Sequence, residues 1–129
     1  LYLWTINSFL VNGAALEVML AWGFKPTSLI TWEKTTADGG IAIGIGHYFR
    51  GASEHVLFGT YKALPYRMTG GDNPKRAQGR TLFRARRTAH SVKPDDLQEM
   101  AELVSYPPRV ELFARRRRPG WDAWGNEAP

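Results

Sequence analysis

Three short stretches of the chain carry residue types that could do chemistry. In Lys93-Pro94-Asp95-Asp96, which opens an amphipathic helix, a lysine stands where Ser, Thr or Asp would ordinarily cap. A cation at the positive end of a helix dipole is locally unfavourable. Either Ser91 does the capping, or Lys93 is held for an anionic partner such as a carboxylate. The run Arg109-Val110-Glu111-Leu112-Phe113-Ala114-Arg115 reads as a strand. Alternation puts Val110, Leu112 and Ala114 on one side and Glu111, Phe113 and Arg115 on the other. An acid, a ring and a base on one face suit the wall of a ligand pocket; the alternative is an edge strand with a solvated face. In Trp124-Gly125-Asn126-Glu127, Asn126 offers donor and acceptor together, as sugar hydroxyls require. Turn chemistry explains Gly125-Asn126 equally well.

Other candidates are weaker. Ser53-Glu54-His55 could suggest acid/base work, but neighbours on a strand point to opposite faces, so Glu54 and His55 do not form a dyad. A strand-entry turn is the simpler reading. Gly44-Ile45-Gly46-His47-Tyr48-Phe49 begins like a dinucleotide fingerprint, but Phe49 breaks the pattern and no helix follows, so its glycines are read as loop flexibility. His47, His55 and His90 lack metal-ligand spacing, and without cysteine no zinc site is expected.

The elements that must position these residues alternate between strand and helix. A short apolar strand covers 1–5 and ends in the turn signal Asn7-Ser8. Asn12 caps a helix running to about Trp22, with Leu16, Met19 and Leu20 at core spacing and Gly23 as its stop. Strands follow at 28–34 and 55–60, separated by a glycine-rich loop over 35–50, and a short strand is expected over 81–87. In the second helix Pro94 suits the first position, Asp95 and Asp96 complement the dipole, and Leu97, Met100, Ala101 and Val104 form one face. Pro107-Pro108 ends it before the Val110 strand. This alternation predicts an α/β sheet covered on both faces.

With 129 residues, 43% of them hydrophobic, the chain can build a single core. The absence of cysteine excludes disulfides and thiolate metal sites and fits a cytoplasmic protein. No apolar run is long enough to span a membrane. Because the chain opens on Leu1-Tyr2-Leu3-Trp4-Thr5, itself a buried-strand pattern, a segment upstream is expected. The net charge of +5 is unevenly placed: between positions 61 and 90, Lys62, Arg67, Lys75, Arg76, Arg80, Arg84, Arg86 and Arg87 face only Asp72. A basic stretch of this kind is the footprint of phosphate-backbone contact, or else a solvated loop.

These pieces, in this order, resemble the adenine-N6 methyltransferases related to the catalytic subunit of the mRNA adenosine methyltransferase, with their bacterial and phage members. The matching stretches are Leu3-Trp4-Thr5-Ile6-Asn7, Ala21-Trp22-Gly23-Phe24, Gly46-His47-Tyr48-Phe49-Arg50 with Glu54-His55-Val56-Leu57-Phe58-Gly59, and His90-Ser91-Val92-Lys93-Pro94-Asp95. The most specific is Val110-Glu111-Leu112-Phe113-Ala114-Arg115 with Pro119-Gly120-Trp121-Asp122-Ala123-Trp124-Gly125-Asn126-Glu127.

The resemblance implies a Rossmann-like, S-adenosylmethionine-dependent methyltransferase sheet of beta-class (permuted) order, N-terminally incomplete, with 1–129 the C-terminal part of a single domain. By that resemblance Lys93 holds the cofactor carboxylate. Glu111 and Phe113 line the ribose and nearby pocket with Arg115 beside them, and Asn126 and Glu127 meet the ribose and adenine end. Glu54 falls near the target adenine, and Arg50, Arg84, Arg86 and Arg87 lie in or beside the loops nearest the nucleic acid. The family's catalytic Asp-Pro-Pro-Trp motif does not occur in the sequence and is expected upstream of Leu1. The chain alone is therefore expected to be inactive, completed by that segment or a second subunit. DNA is the expected substrate, with RNA as the alternative. A non-catalytic nucleic-acid-binding partner subunit is the competing reading.

Overall fold

A computed structural model describes residues 1–63 and 65–128. The element order is β1 (Tyr2–Thr5), α1 (Asn7–Val11), α2 (Ala14–Ala21), β2 (Lys25–Thr35), β3 (Ser53–Thr60), β4 (Leu82–Arg86), α3 (Asp96–Val104), β5 (Val110–Leu112) and β6 (Asp122–Trp124). This is the mixed α/β composition expected. The chain divides into two compact units, Leu1–Pro65 with Gly79–Met100, and Tyr66–Gln78 with Ala101–Pro129.

The first unit is a four-stranded sheet of order β1-β3-β2-β4, with antiparallel pairs at β1·β3 and β2·β3 and a parallel pair at β2·β4. Residues opposite one another share a face, and the register separates the faces cleanly. One carries Leu3 and Leu57 against Ala15 and Met19 of α2. The other carries Tyr2, Trp4, Ile30, Val56 and Phe83 against Leu97 and Met100 of α3. Helices thus cover both faces, as the alternation implied. Among the described residues Trp32, Met19 and Val56 are the largest side chains fully removed from water; burial of a Met or Val side chain stabilises by about 1.5–3 kcal/mol.

Several boundaries differ from the sequence reading. The helix expected from Asn12 to about Trp22 is α2, which starts at Ala14 after Gly13 in the left-handed conformation (φ 82°), with the Asn12 carboxamide accepting from the amide of Ala14 at 3.0 Å; the turn expected at Asn7-Ser8 is instead the start of the short helix α1. Gly23 ends α2 at φ 81°, as expected. Of the three residues at core spacing only Met19 is buried; Leu16 and Leu20 are exposed. Lys93 is not at an N-cap position, since α3 begins at Asp96. The β3 strand begins at Ser53, so Ser53-Glu54-His55 is strand and not an entry turn.

In the second unit β5 and β6 form a separate parallel pair, with Val110 opposite Asp122 and Leu112 opposite Trp124. The strand expected over 109–115 stops at Leu112, because Phe113 turns to φ 59°. That turn breaks the alternation: Val110 and Leu112 are exposed, and Ala114 is buried with its amide donating to the Trp124 carbonyl at 3.0 Å. A carboxylate organises the unit. Glu102 accepts from Arg118 Nε at 2.7 Å and Nη2 at 3.3 Å and from Trp121 Nε1 at 2.7 Å. Its backbone carbonyl accepts from Arg67 and Arg109. The end of α3 is thereby tied to the turn that leads into β6.

Candidate functional site

Along β2, Ile30, Trp32 and Lys34 share one face; along β3, Glu54, Val56 and Phe58 share the same one. The apolar face of the sheet therefore ends in a lysine and a glutamate. Lys34 Nζ lies 2.7 Å from Glu54 Oε1, and Lys93 Nζ bonds Glu54 Oε2. Each ammonium also sits over an indole, Lys34 5.2 Å from the Trp32 ring centroid and Lys93 5.2 Å from that of Trp4. The two rings meet edge to face at 6.0 Å, and the Trp32 indole is fixed by donating to the Ala85 carbonyl at 2.9 Å. Burial pushes the Glu54 carboxyl pKa up, but the hydrogen bonds and charges of Lys34 and Lys93 together outweigh it and hold the group below its ordinary value. One carboxylate with two cations leaves one positive charge in excess, beside the two indoles. Such a cluster can receive an anion or a polarised heterocycle without leaving a buried charge unpaired.

His55 takes no part in it. Its ring faces the other way, with Nδ1 3.0 Å from Thr31 Oγ1 and Nε2 2.6 Å from Asn7 Oδ1. Burial lowers its pKa, against the opposing pull of Glu54. The separation of Glu54 from His55 is as the strand geometry requires.

The arginines expected near nucleic acid are gathered around the 36–52 loop. Arg50 Nε donates to the Gly44 carbonyl at 2.8 Å. Arg84 pairs with Glu33 at 3.1 Å and reaches the Gly39 carbonyl at 3.3 Å. Arg86 lies opposite Thr35, and the amide of Arg87 donates to the Thr35 carbonyl. Gly44 and Gly46 of this loop are not there for flexibility: a Cβ on Gly46 would overlap the Phe49 carbonyl, and one on Gly44 would come 3.0 Å from the Gly51 carbonyl.

In the second unit an open hollow of about 240 Å³ is lined by Phe113, Ala114, Trp124, Gly125, Asn126 and Glu127. Phe113 and Trp124 meet edge to face at 6.0 Å, and Gly125 approaches Ala114 so closely that a Cβ would lie 2.8 Å from its backbone. Phe113, Asn126 and Glu127 thus line one hollow. Arg115 joins them through an ion pair with Glu127 at 3.4 Å. Glu111 stands on β5 opposite Ala123 and is outside the lining. The hollow is smaller than the ~300–1,000 Å³ of a whole small-molecule site, and rings beside a carboxamide suit a nucleoside portion of a ligand.

Sequence reasoning missed Lys34, Trp4 and Trp32 as members of the charged cluster. The signal was present in the i, i+2 run Ile30-Trp32-Lys34, where a core-facing strand position becomes a lysine.

The family model for MT-A70 matches residues 1–127. The chain belongs to the MT-A70 family. Among curated proteins it is similar to the type II methyltransferase M.MunI of Mycoplasma sp., at 30% identity across all of this chain and 50% of the relative. It is also similar to the N6-methyladenosine RNA methyltransferase MTA1 of Cryphonectria parasitica, at 31% identity across 82% of this chain and 30% of that protein. This MT-A70 chain spans half the length or less of both. No helix among the described residues is long and apolar enough to cross a membrane.

Proposed function

We propose that the protein transfers a methyl group from S-adenosylmethionine to the N6 amine of adenine in nucleic acid, with DNA as the substrate. We further propose that this chain is the C-terminal part of a Rossmann-like domain of beta-class order. The observation that carries the reading is the Lys34–Glu54–Lys93 cluster set against Trp4 and Trp32 in an MT-A70 chain. The bound cofactor supplies an electrophilic methyl group. Lys93 takes the cofactor's carboxylate and must share or leave Glu54 to do so, while Lys34 keeps Glu54 ionised. Glu54 then accepts from the edge of an extruded adenine, a base that must leave its stack to be reached. Asn126 and Glu127 hold the ribose and adenine end beside Phe113, with Glu111 and Arg115 supporting that wall. Arg50, Arg84, Arg86 and Arg87 hold the phosphate backbone.

The Asp-Pro-Pro-Trp segment does not occur in this sequence, so the 129 residues alone are proposed to be inactive. The test is methylation of adenine-containing DNA and RNA duplexes and single strands, run in parallel on this chain and on the protein at its full natural length. Turnover on DNA by the full-length protein alone supports the reading. Turnover by the chain alone overturns its inactivity. Nucleic-acid binding with no cofactor-dependent thermal shift in either would favour a non-catalytic partner subunit.

A further inference from the structure

The loop joining β2 to β3 displays apolar side chains where water would ordinarily select against them. Ile45, Tyr48 and Phe49 are 98%, 96% and 92% exposed. Single exposed apolar residues need no explanation, but three within five positions do. The loop that shows them is built, not slack. Ala42 donates to the Lys34 carbonyl at 2.8 Å, Gly44 to that of Gly51 at 2.6 Å, and Gly51 back to that of Ile45 at 3.2 Å. Arg50 closes the stem through the Gly44 carbonyl, and Gly46 permits a turn that no side chain would allow.

Charge decides between occupants. Positions 39–52 contain no carboxylate and carry Arg50 and His47; Arg84 of β4 reaches the Gly39 carbonyl, and Arg86 at the end of β4 and Arg87 just beyond it lie against Thr35, where the loop begins. The occupant is therefore anionic and offers flat apolar faces, which describes unstacked bases on a phosphate backbone. Phe49 is five residues from Glu54, at most about 17 Å of extended chain, a few nucleotides from the proposed base site.

We infer that Tyr48 and Phe49 form a stacking platform for bases flanking the adenine to be methylated, with Ile45 as an apolar buttress. The inference rests on the nucleic-acid reading above. The experiment uses the protein at its full natural length and measures binding of a single-stranded oligonucleotide carrying 2-aminopurine beside the adenine. Tyr48→Ala with Phe49→Ala should weaken binding roughly tenfold or more and relieve the 2-aminopurine quenching, with the salt slope unchanged. Phe49→Trp should keep both. Arg86→Gln with Arg87→Gln should instead flatten the salt slope and leave the quenching of bound oligonucleotide intact. If the wild type binds but the double alanine variant binds and quenches equally, the platform is overturned and the nucleic-acid reading stands. If the wild type does not bind, both fall. If the double variant converts a dimer to a monomer in sedimentation without changing quenching, the loop is a protein interface and the platform is overturned.

Discussion

Two glutamates organise the two units of this chain in opposite ways. Glu54 is held by two lysines, each a compact charge on a flexible stem, and each partly occupied with an indole face as well. Glu102 is gripped by the fork of Arg118 and by the rigid indole of Trp121. Hydrogen bonding to Arg118, then to Trp121, holds its carboxyl down to about 2. A planar guanidinium saturates a carboxylate and fixes its direction, whereas an ammonium can trade one oxygen for another. The first arrangement suits exchange of partners and the second suits tying chain segments together. Function should therefore be sensitive at Glu54 and its lysines, and stability at Glu102.

The largest effect is expected at Lys93. Lys93→Met in the protein at its full natural length should lower the methylation rate about 100-fold, the scale of losing one partner of a buried charged contact. The melting temperature should stay within a few degrees, because the removed charge leaves Glu54 still paired with Lys34. A large fall in melting temperature with unchanged activity would reverse the contrast between the two carboxylates. Glu102→Ala is the opposite case. It should cost about 1–3 kcal/mol by removing the charged hydrogen bonds from Arg118 and the acceptor of the Trp121 N–H, at the lower end since the site is partly open to solvent. Chemical denaturation reads that cost directly, and an unchanged midpoint would remove Glu102 from its organising role.

Acid should separate the units in turn. His55 has its pKa lowered by burial from the ordinary 6.5, so its contribution is present above pH 6.5 and fades as pH falls below it. Glu102 is lowered from 4.5 to about 2, so its contribution is present above pH 4.5 and is lost as pH falls through about 2. Amide-exchange protection should therefore weaken in β3 at mildly acidic pH, and around β6 only below about pH 4.5. Simultaneous loss would show that neither group governs its own unit.

This contrast also marks what the sequence could and could not show. Strand and helix positions in the first unit followed from local pattern: the strands expected over 28–34 and 55–60 lie within β2 and β3, and Leu97 is buried on the helix face that periodicity gave it. Leu16 and Leu20 are exposed because α2 buries Ala15 and Met19, a narrower face of the same helix than the apolar spacing implied. The cluster around Glu54 was only half legible. Glu54 and Lys93 were identified, but their direct contact joins positions 39 apart in sequence, and strand pairing alone brings Lys34 beside them. The 109–115 strand was read too long because nothing in Phe113 as a residue type announces a positive φ, and the turn is seen only where Gly125 packs against the Phe113–Ala114 backbone. The Glu102 cluster was not identified from the sequence, since its contacts join α3 to Arg118 and Trp121, 16 and 19 positions away.

The smaller predictions refine the contrast within the first unit. Lys34→Ala should reduce methylation by roughly tenfold, less than loss of Lys93, since its proposed task is to keep Glu54 charged and placed while Lys93 meets the ligand. The fall should grow as pH is lowered, because Glu54 then loses one of the two cations that depress its pKa. A fall independent of pH would point to packing against Trp32 instead. Least of all should change with Arg84→Ala. The pair with Glu33 is solvent-exposed on the arginine side, 57%, and exposed pairs contribute about 0–1 kcal/mol. Its removal should leave the melting temperature almost unmoved yet reduce the salt slope of nucleic-acid binding by about one unit. A cation that contributes little to the fold but counts in the salt slope belongs to the ligand; a slope that does not move would assign Arg84 to the Glu33 pair alone.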